Sequence, residues 1–364
     1  MKSLTDWKNQ IQWIGRTLEI GEKIYFDWTN SGFRVSFTGS LLIVRLEALC
    51  ETDSGASELY GKYWPYAAVF YDDSPEPHHI FEIKPPMKEY LLFASKDRET
   101  HVITVRKMTE NAKGKIACCG FTGDGFIEKA ACKSDRLRID FIGDSITCGF
   151  GNMSDERDRG FYPAEENGWL TYGAEAGRLL SADINMISCS GISLMDSTDA
   201  EVWNMPGMRK IFEYTDWFLE EKLGREKKTR WDFKTHPRDI AVINLGTNDS
   251  VMLDIFMGNM NEQRFEEEYR KFLCDLRRVY GEKTWILCTL GPLDYFLYEN
   301  IKRVIQDYAS ESEDDRVRCF KFMKVRMSEG IGASNHPTVK THLRMGRELA
   351  EFIRALPKEI EGTD

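Results

Sequence analysis

Two patterns of hydrophobic and polar residues divide the chain near residue 133. Before that point, short runs rich in β-branched and aromatic residues, such as SLLIVRLEAL and KEYLLFAS, alternate with turn formers. Two further runs, GFRVSFTG and HVITVRKM, alternate apolar with polar positions. A two-residue period is that of half-buried strands, and the spacing of the runs is typical of an all-β sandwich. The pattern predicts a jelly-roll-like β-sandwich domain over residues 1–133, in which a short helix near residues 4–14 precedes the strands.

After residue 134 the pattern changes to short apolar strands separated by helical stretches. Between the third and fourth of these strands, residues 262–280 repeat apolar side chains at helical spacing. Alternating strands and helices predict an α/β domain over residues 134–364, in which helices cover both faces of a five-stranded parallel sheet in a three-layer αβα arrangement. The five predicted strands are RIDFI, INMIS, DIAVINL, TWILCTL and VRCFKFM.

Composition narrows the class of protein. The 49 Lys and Arg residues against 59 Asp and Glu residues give a formal charge of −10, which opposes binding to nucleic acid. Because no run approaches the roughly 20 apolar residues that span a bilayer, we expect no membrane partner and a cytoplasmic location. The nine cysteines are odd in number and lack zinc-site spacing, so neither a structural metal nor a disulfide framework is indicated.

Candidate catalytic groups follow four of the predicted strands. In an open parallel sheet, ligands bind outside the carboxyl ends of the strands, and the loops GDSIT, SCSGIS, GTNDS and GASNHPTVKTH all stand there. Ser145 in the first loop can be a nucleophile or an ordinary turn residue. Thr147 occupies the second glycine position of a G-x-S-x-G motif, which argues against an ordinary α/β-hydrolase.

A serine nucleophile needs a base, and histidine is the usual one. Of the six histidines, three lie in the predicted sandwich, His236 precedes its strand and His342 falls within the final helix. His336, in a loop after a strand, is left as the candidate. Gly191 and Asn248 can supply N–H donors to an oxyanion, although each alone is also an ordinary turn residue.

The blocks GDSIT, SG, GTND and HP, in this order, resemble the SGNH (GDSL) hydrolase superfamily. A β-sandwich in front of such a domain is similar to carbohydrate esterase family 2, whose members remove acetyl groups from plant-wall saccharides such as xylan. The resemblance implies that Ser145 is the nucleophile and His336 the base. It also implies an oxyanion hole made by the backbone N–H groups of Ser145 and Gly191 with the Asn248 side chain, and no metal or organic cofactor.

The chain departs from the superfamily pattern at one position. The superfamily usually has an aspartate three residues before the histidine, and here that residue is Ala333. Because family 2 enzymes can orient the imidazole with a main-chain carbonyl, the resemblance implies a dyad of Ser145 and His336. Two alternatives stay open, namely a distant Asp or Glu that folds back onto His336 and a loss of catalysis.

The expected function is that of an O-acetyl esterase acting on xylo-oligosaccharides or related acetylated saccharides. Trp203, Tyr295 and Phe296 lie near strand ends, where their rings can stack on sugars or only pack within loops. A lipase or thioesterase acting on longer acyl chains is an alternative, because the apolar segment 252–260 can contact an acyl chain. A non-catalytic carbohydrate-binding protein is another. The sandwich can bind glycans, act as a scaffold or form a homo-oligomer interface.

Overall fold

The first part of the chain forms one antiparallel sheet that curls into a jelly-roll-like body. The computed structural model describes residues 2–4, 7–50, 64–131, 135–197, 204–255 and 261–357. The central strands follow the order β3-β4-β9-β5-β8-β6-β7, with β1 paired to β9 and both β2 and β10 paired to β5. The bounds are β1 Lys2–Ser3, β2 Gln12–Ile14, β3 Leu18–Ile20, β4 Lys23–Tyr25, β5 Gly32–Leu49, β6 Tyr66–Tyr71, β7 His79–Glu82, β8 Met87–Lys107, β9 Lys115–Gly123 and β10 Phe126–Glu128.

Two long strands replace four shorter ones that the sequence suggests. GFRVSFTG and SLLIVRLEAL form the single strand β5, while KEYLLFAS and HVITVRKM form β8. The ladder between them is irregular because Gly39 pairs with Glu99 but Leu41 pairs with Ala94, so residues 95–98 leave the regular register. At this bulge the buried side of β5 changes from odd positions, such as Phe37, to even positions, such as Leu42.

The predicted N-terminal helix is mostly wrong. A short 3₁₀ helix spans Trp7–Gln10, but the next residues form β2. Trp13 pairs with Phe33 of β5, and their rings lie 5.9 Å apart in an edge-to-face contact. Packing of this partly buried ring against the sheet favours an extended backbone over the helix.

The second part of the chain contains the predicted five-stranded parallel sheet. Its order is β12-β11-β13-β14-β15, and every neighbouring pair is parallel. The bounds are β11 Arg138–Gly143, β12 Asp183–Ser188, β13 Ile240–Asn244, β14 Trp285–Leu290 and β15 Val317–Lys321. The boundary predicted between residues 133 and 134 falls on residues 132–134, which lie outside the described residues.

Helices cover both faces of this sheet, as the alternating pattern predicts. One core joins strand residues such as Ile142 and Ile243 to α6 and α7, and another joins Phe141 and Val242 to α2 and α8. The helices are α1 Ser145–Cys148, α2 Tyr172–Leu180, α3 Met208–Ile211, α4 Trp217–Lys222, α5 Thr247–Ile255, α6 Glu262–Tyr280, α7 Tyr298–Ser312 and α8 Val339–Arg354. Short 3₁₀ turns lie at Pro163–Glu165, Gly168–Leu170, Met327–Glu329 and Ala333–Asn335.

The helical segment predicted between β13 and β14 is confirmed as α6. Its apolar stripe faces the core, whereas its polar side faces solvent. The buried or partly buried members of the stripe are Phe265, Tyr269, Phe272, Leu273, Leu276 and Val279. Among the helices in the described ranges, none is long and apolar enough to cross a membrane.

Buried hydrogen bonds join the sandwich to loops of the parallel-sheet domain. The Trp28 indole N–H donates to the carbonyl of Thr215 at 2.8 Å, and the Asn30 amide donates to the carbonyl of Gly168 at 2.7 Å. Because Trp28 and Asn30 are each only 1% exposed, these bonds are shielded from water. The sandwich is therefore packed firmly against the loops of the parallel sheet.

Candidate active site

Ser145 lies at the carboxyl end of strand β11, as predicted. Asp144 caps helix α1, and its Oδ1 accepts a hydrogen bond from the Ile146 N–H at 2.9 Å. A Cβ on Gly143 would lie 2.0 Å from Oγ1 of Thr147, so a residue with a side chain at position 143 would clash with Thr147. Thr147 also contacts the Tyr172 hydroxyl at 2.9 Å, which gives this departure from G-x-S-x-G a packing role.

His336 contacts Ser145 across the sheet edge. Its Nε2 lies 2.9 Å from the Ser145 Oγ, and its Nδ1 lies 3.2 Å from the Ala333 carbonyl oxygen and 3.1 Å from that of Ser334. Because a carbonyl oxygen can only accept, Nδ1 carries the hydrogen and Nε2 is left as the acceptor. The Ser145 hydroxyl therefore donates to His336, which is the arrangement that a general base requires.

A left-handed turn directs these carbonyls to the ring. Ser334 and Asn335 have φ angles of +48° and +63°, a conformation that Asn accepts more readily than most residues. The His336 ring also packs on Phe150, with 4.2 Å between the ring centroids. Burial lowers the pKa of His336 from its ordinary value, although the two carbonyl contacts oppose that shift.

Gly191 and Asn248 lie in the neighbouring loops, and a hydrogen bond joins those loops. The Asn248 amide donates to the carbonyl of Ile192 at 2.9 Å and lies 3.4 Å from a carboxylate oxygen of Asp144. Gly191 has a φ of +81°, in the left-handed region that favours glycine. The amide thus ties three of the four predicted loops together, and its longer contact is weak enough for an oxyanion to replace it.

Two buried aspartates support these loops. Asp249 accepts hydrogen bonds from the backbone N–H groups of Leu194 and Met195 at 2.9 and 3.0 Å. Burial raises the pKa of Asp144 to about 7 and that of Asp249 to about 6. Their hydrogen bonds are those expected of carboxylates that hold backbone in place.

The structure does not test the three predicted sugar-stacking residues. Trp203 and part of the apolar segment 252–260 lie outside the described residues. Tyr295 donates its hydroxyl hydrogen to the Phe322 carbonyl at 2.9 Å, which ties it to the end of β15. Phe296 is 55% exposed. A role in substrate binding for these residues stays a prediction.

Residues outside the four motifs also reach the site. Phe150 packs on the catalytic candidate His336, and Glu110, from the sandwich, accepts a hydrogen bond from the backbone N–H of Ser190, next to Gly191. Phe150 lies in the same segment as Ser145, so proximity in sequence is a weak signal for it. Glu110 precedes the parallel-sheet domain, and no pattern in the sequence connects it with this loop.

The sequence profile of the GDSL-like lipase/acylhydrolase family matches residues 139–349, which include Ser145, Gly191, Asn248 and His336. The chain belongs to this family. Membership in this family supports a serine esterase, and it confirms the resemblance that the four blocks carry. Within the described ranges, no group of three His, Cys, Asp or Glu side chains has the arrangement of a metal site.

Two curated relatives extend the likeness to the sandwich. The chain is 29% identical to a cellulase/esterase, CelE, of Acetivibrio thermocellus over 90% of its own length and 37% of that protein. It is 22% identical to an acetylxylan esterase/glucomannan deacetylase of Cellvibrio japonicus, over 73% of this chain and 70% of the relative. The chain therefore spans little more than a third of the length of CelE.

Solved structures share the whole fold. A family two carbohydrate esterase from Clostridium thermocellum, in complex with cellohexaose, superposes with a TM-score of 0.79 and 26% identity, over 94% of this chain and 98% of that one. An acetyl xylan esterase, Est2A, from Butyrivibrio proteoclasticus gives a TM-score of 0.80 at 21% identity, over 95% of each chain. These similarities confirm the predicted fold class, a jelly-roll-like sheet followed by a five-stranded parallel sheet with helices.

Proposed function

We propose that this protein is a carbohydrate O-acetyl esterase that removes acetyl groups from xylo-oligosaccharides or related plant-wall saccharides. The observation that carries the proposal is the 2.9 Å contact between the Ser145 Oγ and the His336 Nε2, with Nδ1 committed to backbone carbonyls. A serine hydroxyl that donates to a neutral imidazole is prepared for nucleophilic attack.

In the first step, the Ser145 Oγ attacks the acetyl carbonyl carbon while its proton moves to the His336 Nε2. The carbonyl oxygen becomes an oxyanion, and the backbone N–H groups of Ser145 and Gly191 with the Asn248 amide would donate to it. When the tetrahedral intermediate collapses, the bond between the acetyl carbon and the sugar oxygen breaks. The imidazolium gives its proton to that oxygen, and the sugar leaves with a free hydroxyl.

In the second step, water hydrolyses the acetyl-Ser145 ester. Neutral His336 takes a proton from the water as its oxygen bonds to the acetyl carbon, and the same oxyanion donors hold the second tetrahedral intermediate. Collapse breaks the bond to Oγ, the proton returns to Ser145, and acetic acid departs and ionises at neutral pH. All proton transfers pass through one nitrogen, so neither step needs a cofactor.

The comparisons favour an acetylated carbohydrate as the substrate. One relative is named as an acetylxylan esterase/glucomannan deacetylase, and a structural neighbour at 26% identity is a family two carbohydrate esterase with bound cellohexaose. Because these names include xylan, glucomannan and cellohexaose, acetylated xylo-oligosaccharides and gluco-oligosaccharides are the substrates to measure first.

Acetate release from defined acetylated oligosaccharides tests the proposal. We expect the wild-type protein to release acetate, and Ser145→Ala to abolish release while its thermal unfolding stays close to that of the wild type. Ser312→Ala is a matched control, because that hydroxyl donates to the Tyr308 carbonyl in helix α7. Persistent activity in Ser145→Ala would show that another group is the nucleophile.

A lipase or thioesterase acting on longer acyl chains is the second candidate, favoured by the lipase/acylhydrolase description of the family. Nitrophenyl acetate and nitrophenyl octanoate separate the two candidates. Faster turnover of the acetate, expressed as kcat/KM, supports the acetyl esterase. Faster turnover of the octanoate supports the lipase and contradicts our proposal.

A non-catalytic saccharide-binding protein is the third candidate, because position 333 carries alanine where the superfamily usually has aspartate. Calorimetric titration with cellohexaose, beside the ester assays, measures this possibility directly. Saccharide binding without hydrolysis of any activated ester would support this candidate and contradict the esterase.

A further inference from the structure

The turn between β8 and β9, residues 108–114, enters the second domain. Its Met108 carbonyl accepts a hydrogen bond from the Gly168 N–H at 2.7 Å. On the other side, the Asn111 amide lies 3.2 Å from a carboxylate oxygen of Asp216. The turn is thus bound between two segments of the parallel-sheet domain.

A buried lysine of the sandwich fixes the shape of this turn. The Lys107 ammonium donates to the carbonyl oxygens of Asp27, Glu110 and Gly114 at 2.8, 2.7 and 2.9 Å. Lys107 is fully buried, so all three ammonium hydrogens are used away from water. The sandwich thus contributes to the position of Glu110 through the Lys107 ammonium.

The Glu110 carboxylate connects this turn to the loop that carries Gly191. Its Oε2 accepts from the Ser190 backbone N–H at 2.8 Å, while its own backbone N–H donates to Glu166 at 2.9 Å. The Lys113 ammonium lies 3.6 Å from the Glu110 Oε1. The side chain is fully buried, and a buried carboxylate needs such partners, so the bond to Ser190 is both strong and oriented.

The loop is consequently held on each side of Gly191. Glu110 holds the N–H of Ser190, and Asn248 holds the carbonyl of Ile192. The left-handed φ of Gly191 between them sets the direction of its own N–H group. Small displacements of such a donor have large effects on rate, because an oxyanion hole acts only when its donors point to where the charge develops.

We propose that Glu110 is a positioning residue, through which the sandwich orients the Gly191 N–H for the developing oxyanion. The inference rests on the proposed esterase function and extends it, because the active site then depends on both parts of the chain. Under this proposal the sandwich contributes to the rate of the chemical step, whatever saccharide is bound.

Steady-state kinetics of the full chain with nitrophenyl acetate test this role. We expect Glu110→Ala to lower kcat by about 10- to 100-fold with KM changed less than about threefold, because the donor is needed only in the transition state. Glu110→Gln keeps an uncharged and therefore weaker acceptor for the Ser190 N–H, so it should recover about half of that loss on a logarithmic scale without reaching the wild-type kcat. Thermal unfolding checks that each variant is folded.

Glu220→Ala is the matched control. Glu220 is also fully buried, and its carboxylate accepts from the Thr229 backbone N–H at 2.6 Å, but it belongs to α4 and not to the four loops. We expect this variant to lose stability and to keep the wild-type kcat.

The outcomes separate this inference from the proposed function. Wild-type activity together with a kcat for Glu110→Ala or Glu110→Gln no lower than that of Glu220→Ala would overturn the role of Glu110 alone. If Glu110→Ala does not fold, Glu110→Gln decides: a lowered kcat with unchanged KM supports the role, and a wild-type kcat overturns it. A wild-type protein that hydrolyses no acetyl ester would overturn the proposed function, and this inference with it.

Discussion

The His336 Nδ1 lies 3.2 Å from the carbonyl oxygen of Ala333, the residue at the position where related hydrolases usually carry aspartate. The main chain at this position can therefore orient the imidazole without a side-chain carboxylate. A carbonyl carries a dipole but no net charge, so it selects the tautomer and contributes less to stabilising the imidazolium than a carboxylate would.

We expect kcat/KM to fall at acid pH with an apparent pKa below 6.5. Burial lowers the pKa of His336, and the base must be neutral, so activity is present above that pKa and lost as pH falls through it. Profiles for nitrophenyl acetate between pH 4 and 8 measure it. Asp144→Asn is the control for a second titrating group, because the pKa of Asp144 is raised to about 7. The variant keeps the acceptor for the Ile146 N–H, so an acid limb that it retains does not come from Asp144. An acid limb above 6.5 would contradict the expectation.

Asn248→Ala should lower kcat by roughly 100-fold or more, the usual effect of removing one oxyanion donor. Loss of its bond to the Ile192 carbonyl adds to the effect by loosening the loop. Asn248→Asp should be impaired as well, because a carboxylate accepts but does not donate and would repel the oxyanion. Steady-state kinetics measure both variants, and a loss of less than about threefold would exclude this amide from the oxyanion hole.

Gly191→Ala should reduce both stability and kcat. A Cβ there would meet only the Met205 sulfur at 3.9 Å, so the cost comes from the left-handed backbone and is about 1–2 kcal/mol. We expect kcat to fall at least tenfold as the backbone relaxes. Gly224→Ala is the control, because Gly224 has a φ of +66° and open space around it. Chemical unfolding and kinetics together test the pair, and equal kcat values for the two variants would contradict this prediction.

His342 should make the fold sensitive to acid. It is fully buried, its Nδ1 accepts from the Tyr172 N–H at 3.3 Å, and burial lowers its pKa to about 3. The unfolded chain binds the proton first, so stability is lost as pH falls below about 6.5, by up to about 1.4 kcal/mol per pH unit. His342→Gln should remove this dependence. Denaturant unfolding at pH 4 to 7 measures it, and parallel curves for the two proteins would refute it.

The sequence predicts the parallel sheet and its four loops well because local rules determine both. Short apolar strands alternate with helices, and the carboxyl ends of parallel strands share one edge, which brings Ser145 and His336 together from 191 positions apart. The same rules fail near the N-terminus, where the partly buried Trp13 packs on Phe33 and its segment forms a strand instead of a helix.

Long-range and backbone contacts are what the sequence does not predict. The orientation of His336 depends on carbonyl groups of Ala333 and Ser334, and every residue has a carbonyl whatever its side chain. The contact between Glu110 and Ser190 depends on how the sandwich packs on the parallel sheet, and no periodicity in either segment encodes that packing. The union of two short apolar runs in β5 likewise depends on the partner strand.

The Lys107 ammonium, surrounded by three carbonyl groups, has a consequence for recombination between relatives. A sandwich transplanted from another family member would need both a cation at this place and a turn of the same length above it. Chimeras of family members should therefore exchange both domains together.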